Sequence, residues 1–202
     1  MLGSIGKDDT DATEVISVSA LLGNSIFIWL FLVGVPVYAM RYKGADLGLR
    51  LRPIDGLAFV LGAGVQAVLV PLLYWPLLPL FDRTSSDVES EAHRVVDGAH
   101  GAGVLVLVLI VCVGAPFAEE LFYRGLLQRA VFKKWGRPVL AVVVSVVVFG
   151  VSHFQGIQLP ALLLFGAVTA TLAQRTGRLG PSMLCHAGFN AWSILDLLVL
   201  SK

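Results

Sequence analysis

The stretch GAGVLVLVLIVCVGAPFAEELFYRGLL, residues 101–127, decides the fold. From Gly101 to Ala118 it carries no charge; Glu119, Glu120 and Arg124 then arrive within six positions before the apolar pattern resumes. A charged side chain at membrane depth costs several kcal/mol or more, so such groups are expected to be paired, inward-facing and functional. Helical spacing separates the two carboxylates. Glu120 and Arg124 are four apart and share a face, whereas Glu119 points about 100° away from Glu120. One carboxylate is accounted for by an ion pair; the other is available for chemistry.

The remaining composition agrees with a membrane setting. The chain has 202 residues, 56% hydrophobic and 14% charged, with a mean hydropathy of +0.81. Soluble domains carry about 25% charged residues. A net charge of +1, with the basic residues in short loops, excludes a nucleic-acid footprint. The length fits one integral membrane domain over 1–202, with a polar tail over 1–14. That tail lacks a basic n-region and does not read as a cleavable signal peptide. Cys112 and Cys185 lie in apolar runs without metal-ligand spacing and read as small buried hydrophobes.

A span needs about 20 apolar residues. By that measure the chain divides into an all-α, polytopic bundle of about six spans around a buried polar cavity. They run over about 15–40, 54–81, 102–132, 139–153, 159–174 and 181–200, the second interrupted by Pro71, Pro76 and Pro79. The polar segment 82–101 is long for a hairpin loop and reads as a surface helix or lid. Loops 41–53, 129–137 and 175–178 are basic; the N-terminal tail and 82–100 are acidic or mixed. The charge rule therefore puts the basic loops in the cytoplasm and both termini outside.

Four further polar residues interrupt the spans: His153, His186, Asn190 and Asp196. From the helical rise, Glu119 lies roughly 15–21 Å above Arg129 and Lys133, His153 roughly 24 Å above Arg137, and His186 roughly 12 Å above Arg178. In a hydrocarbon core of about 30 Å all three fall near the midplane, arriving from three helices. Taken singly, either histidine or Asn190 suits interhelical hydrogen bonding. Glu119 with two histidines and an asparagine reads as a site. Ser152 and His153 are adjacent on one helix and point apart, which disfavours a serine nucleophile.

The pattern Glu119-Glu120-x3-Arg124, Phe149-x3-His153 and His186-x3-Asn190 resembles the three-motif signature of the CPBP family, the type II CaaX prenyl endopeptidases and Abi bacteriocin-processing membrane proteases. Tyr123-Arg124-Gly125 also fits, and the resemblance covers about 101–200, the catalytic core. It implies an intramembrane endopeptidase in which Glu119 and His153 activate water while His186 and Asn190 stabilise the oxyanion. Glu120, Arg124 and Phe149 would support them. It implies a membrane-associated or lipidated peptide substrate within the lipid bilayer. The compact form suggests a bacterial or archaeal plasma membrane, with the active-site cavity open to the cytoplasm. Metal dependence stays open: Glu119, His153 and His186 are plausible zinc ligands, yet there is no HExxH, and a glutamate-dependent mechanism needs no metal. Two other classes stay in view. One is a non-enzymatic immunity or scaffold protein; the other is a proton-coupled transporter, disfavoured by the absence of an internal repeat.

Overall fold

The computed structural model describes residues 16–200, apart from the side chains of Glu89 and Glu91. The tail expected over 1–14 lies outside the described residues, as do both chain ends whose side of the membrane the charge rule assigns. Among the described residues there are helices and turns and no strand. The helices are α1 (Val18–Lys43), α2 (Pro53–Leu80), α3 (Ser85–Val96), α4 (Ala102–Trp135), α5 (Pro138–Val151), α6 (Leu159–Thr176) and α7 (Gly180–Leu200).

Their ends follow local chemistry. Ser17 caps α1 by accepting from the Ala20 N–H, and Gly44 closes it at φ 62° with its N–H on the Ala39 carbonyl. Pro53, Pro138 and Pro181 stand in first turns, where a missing N–H costs nothing. Helix α3 opens on a capping box in which Thr84 and Asp87 satisfy each other's backbone N–H. Its amphipathic sequence makes it the surface helix anticipated in 82–101.

The six expected rods are all present, and they differ in length and polarity. Four helices, α1, α2, α4 and α7, are long and apolar enough to cross a membrane. Helix α5 has only 14 residues, a rise of about 21 Å, short of a hydrocarbon core. Helix α6 has 18, and its last turn carries Gln174 and Arg175. Large apolar side chains face outward, with Phe27 76%, Trp75 80% and Val139 73% exposed. In water that surface would be an aggregation liability; against lipid it is the expected one.

Two close crossings set the core. On α2, a Cβ at Gly62 would run into the Cys185 carbonyl; on α7, a Cβ at Gly188 would run into the Phe59 carbonyl. These helices therefore touch backbone to backbone, the small-residue packing of membrane interiors. The contact fixes the depth of His186, which lies between Cys185 and Gly188. At the basic end, Asp55 accepts from Arg178 at 2.6 Å and ties the start of α2 to the turn before α7. The Trp29 ring of α1 fills the notch left by Gly114 on α4.

Helices α2 and α4 share a local device. Each has a π-helical turn just ahead of a proline: Val65–Leu69 before Pro71, and Ile110–Gly114 before Pro116. In α4 the Ala115 N–H reaches back to Ile110 rather than Val111, and Pro116 has no N–H. The Val111 carbonyl is left without a helical donor. In α2 the Val70 N–H likewise goes to Val65, and Pro71 leaves the Gln66 carbonyl in the same state.

Candidate active site

Glu119 and Glu120 are the last two residues before the π-helical turns Leu121–Gln128 of α4. Such turns interrupt the regular ladder and occur often at functional sites. Glu120 is fully buried. Its Oε2 lies 3.3 Å from Arg124 Nε, and neither side chain is accessible. The two atoms are close enough for an ion pair but not aligned for a hydrogen bond. Arg124 spends its other end on α6, donating to the Thr169 hydroxyl at 2.6 Å and the Gly166 carbonyl at 3.3 Å.

The second oxygen of Glu120 does something the spacing of a single helix could not disclose. Its Oε1 lies 3.0 Å from His186 Nδ1, across from α4 to α7. A buried chain therefore runs from Thr169 through Arg124 and Glu120 to His186. The guanidinium also lies 4.4 Å from the centroid of the Phe149 ring, while His153 packs 4.6 Å from the same ring. Phe149 thus packs against both the Arg124 guanidinium and the His153 ring.

Glu119 occupies the other side of that layer. Its Oε2 is buried and without a hydrogen-bond partner. It faces the Nε2 atoms of His153 at 3.8 Å and His186 at 3.9 Å. Both rings are held by their other nitrogen. His153 Nδ1 lies 2.7 Å from the Phe149 carbonyl. A carbonyl only accepts, so Nδ1 carries a proton; in the neutral tautomer the Nε2 lone pair then faces Glu119. Separations of 3.8 and 3.9 Å are too long for direct hydrogen bonds. They are short enough for one water oxygen to reach Glu119 and either ring nitrogen.

Glu119, Glu120, Arg124, Phe149, His153 and His186 are thus brought into one group. Asn190 is placed differently. Its Nδ2 donates at 2.7 Å to the Val111 carbonyl, the acceptor stranded by the π-turn and Pro116. One of its two N–H groups is therefore committed to holding α7 against α4.

Other contributors had no distinctive signal in the sequence. Tyr123 Oη lies 2.7 Å from Ser152 Oγ, and Ser152 donates to the Phe149 carbonyl at 2.8 Å, so the tyrosine hydroxyl donates to the serine. This brace reaches the same carbonyl that fixes His153. Ser145 donates to the Tyr123 carbonyl. Gln128 Nε2 donates to the Ala170 carbonyl and to Gln174. Gly166 and Thr169 could have been suspected only by knowing where Arg124 points.

The arrangement does not close on zinc. Bonds of about 2.0–2.2 Å in a tetrahedron set ligand atoms about 3.3 Å apart. The Glu119 separations are wider, and among the described residues no group of three or more His, Cys, Asp or Glu is set to hold a metal ion.

A cavity of about 780 Å³ lies nearby, between the second half of α2 and the second half of α7. Gln66, Trp75, Phe189 and Trp192 line it, and Val88 and Ala92 of α3 cover it. Glu119, His153 and His186 are not in its lining. It lies in the half of the bundle away from the basic loops. The reason is packing: α2 and α7 are sealed near the basic end at Gly62 and Gly188 and leave space only beyond.

No curated protein and no solved structure matches the chain. Residues 101–192 match the family model described as type II CAAX prenyl endopeptidase Rce1-like, a little under half of the chain. That segment contains every member of the group around Glu119. The match and the apolar helices support an integral membrane location and, at family level, a protease. The Rce1-like match over α4 to most of α7 supports membership of this chain in the CPBP family.

Proposed function

We propose that the protein is an intramembrane endopeptidase that hydrolyses a peptide bond of a membrane-associated protein or peptide. The observation that carries this is the convergence of Glu119 Oε2 on two Nε2 atoms, each ring fixed through Nδ1 by an acceptor. Water held between Glu119 and His153 gives up a proton to the carboxylate as its oxygen attacks the scissile carbonyl carbon. The His153 lone pair orients that water and stabilises the shared proton. The tetrahedral intermediate bears an oxyanion. His186 can donate to it from Nε2 as an imidazolium, and the Glu120 carboxylate on Nδ1 stabilises that charge. The uncommitted N–H of Asn190 is the second donor in this assignment. Collapse of the intermediate breaks the C–N bond, and the proton on Glu119 passes to the leaving amine. No step requires a metal.

Purified protein in detergent, incubated with a library of membrane-tethered peptides, tests this reading. Cleavage by wild type and its loss in both Glu119→Ala and His153→Ala is the expected result. Folded wild type that cleaves nothing, together with Glu119→Ala that still complements the cellular role, would replace the enzyme with a scaffold or immunity protein.

A further inference from the structure

The cavity beside the site is mostly apolar, and its mouth reaches the outer surface of the bundle at Leu72 and Trp75, both exposed. Most of its polar neighbours are already engaged. Gln158 Nε2 donates to the Val88 carbonyl, the Tyr74 hydroxyl to the Ile157 carbonyl, and Ser193 to the Phe189 carbonyl. Asp196, which also has a partner, and Ser85 and Trp192 complete the polar part of the lining. Gln66 stands apart from the engaged groups. Its side-chain Oε1 is buried without a hydrogen-bond partner, and its main-chain carbonyl has lost its helical donor to the Val65–Leu69 π-turn and Pro71.

Helix α4 has the same device with its acceptor filled. There the same π-turn and proline strand the Val111 carbonyl, and Asn190 fills it. In α2 the residue with the stranded acceptor, Gln66, lines a cavity. A hydrocarbon chain in this space has no N–H to offer and would leave both acceptors unpaired at membrane depth. An extended peptide offers backbone N–H groups along one edge, and its apolar side chains suit the walls. A helix about 10 Å across would present no free N–H in its interior.

We propose that this cavity binds an extended apolar peptide segment and that Gln66 receives its backbone N–H groups. The proposal rests on the endopeptidase reading, since the segment is part of the substrate. Its position suits the role. Phe189 lines the cavity and packs 4.2 Å from the Phe165 ring, which lies 4.9 Å from the His186 ring. Two stacked rings, Phe189 and Phe165, therefore connect the cavity wall to the proposed oxyanion donor. Gln66 is a positioning residue here and takes no part in the chemistry.

The test is binding, read without turnover. Full-length Glu119→Gln protein in detergent micelles is titrated with dansyl-Val-Leu-Val-Leu-Val amide, with the same peptide N-methylated at alternate residues, and with oleate, against empty micelles. N-methylation is expected to weaken binding about tenfold in this background and less than twofold once Gln66→Leu is added. Pro71→Ala, which returns an N–H to the Gln66 carbonyl, is expected to weaken the unmodified peptide several-fold with the cavity lining otherwise kept. Equal N-methyl penalties with and without Gln66, or saturable oleate binding with no peptide binding, would overturn the proposal. So would an absence of saturable peptide binding. Failure of the two readings is distinguishable. Wild type that never cleaves while Gln66-dependent binding persists sinks the protease reading; cleavage without such binding sinks this one.

Discussion

His186 Nδ1 lies 3.0 Å from Glu120 Oε1, so the carboxylate that anchors Arg124 also holds the site histidine. A buried charge deprived of its partner is costly, about 3–5 kcal/mol. Glu120→Ala is therefore expected to lower the unfolding midpoint in detergent sharply by stranding Arg124. Glu120→Gln keeps the shape and is expected to fold better while losing about 100-fold in kcat, with KM little changed, because His186 loses its counter-anion. Full activity in Glu120→Gln would show that the contact is structural only.

Asn190 can be split into two roles by a double substitution. Asn190→Ala removes the donor to the Val111 carbonyl and should cost about 1–3 kcal/mol of stability. Pro116→Ala supplies a backbone N–H that can reach the same carbonyl, and should restore much of that stability. Activity should not return with it if the second N–H serves the oxyanion. Parallel recovery of both in thermal unfolding and cleavage assays would confine Asn190 to packing.

Chelation gives a direct readout on zinc. The wide spacing around Glu119 leads us to expect cleavage to survive prolonged treatment with 1,10-phenanthroline. Loss of cleavage with recovery on added zinc would mean that the group contracts around a metal.

Helix packing can be tested with a built-in control. Gly62→Ala and Gly188→Ala each push a methyl group into a facing backbone carbonyl, which cannot move aside as a side chain could. Both should reduce the folded yield and the unfolding midpoint. Gly64→Ala, on the same helix with open space around it, should leave the midpoint unchanged or raise it slightly.

The Thr84 backbone N–H, with the Thr84 hydroxyl adding to it, holds the Asp87 carboxyl below its ordinary range. A group depressed in the folded state contributes stability above its unfolded pKa and loses it as pH falls through the folded one. Amide exchange protection across α3 should therefore be flat from neutral pH downward and fall only in the acidic part of the carboxylate range. Asp87→Asn should remove that dependence. An unchanged acid profile in Asp87→Asn would show that the cap does not limit the helix.

Residue types and their spacing were enough to set the class of fold, because apolar runs of span length and the cost of charge in lipid leave few alternatives to a helical bundle. They also determined that Glu120 and Arg124 share a face, since i and i+4 positions do so on any helix. The positions of the rods were legible for the same reason, though not how many are long enough to cross. Contacts between helices were not legible. The Glu120–His186 bond, the grip of Thr169 and Gly166 on Arg124, and the Asn190–Val111 bond each join residues more than 40 positions apart. Their formation depends on how α4, α6 and α7 are rotated and how deeply they sit. Glycine contacts between α2 and α7 fix part of that register, and carbonyls stranded by π-turns before Pro71 and Pro116 mark where an outside donor is needed. Local spacing carries no information about rotation between rods, so tertiary packing alone decided which polar atoms meet and which acceptor was left open.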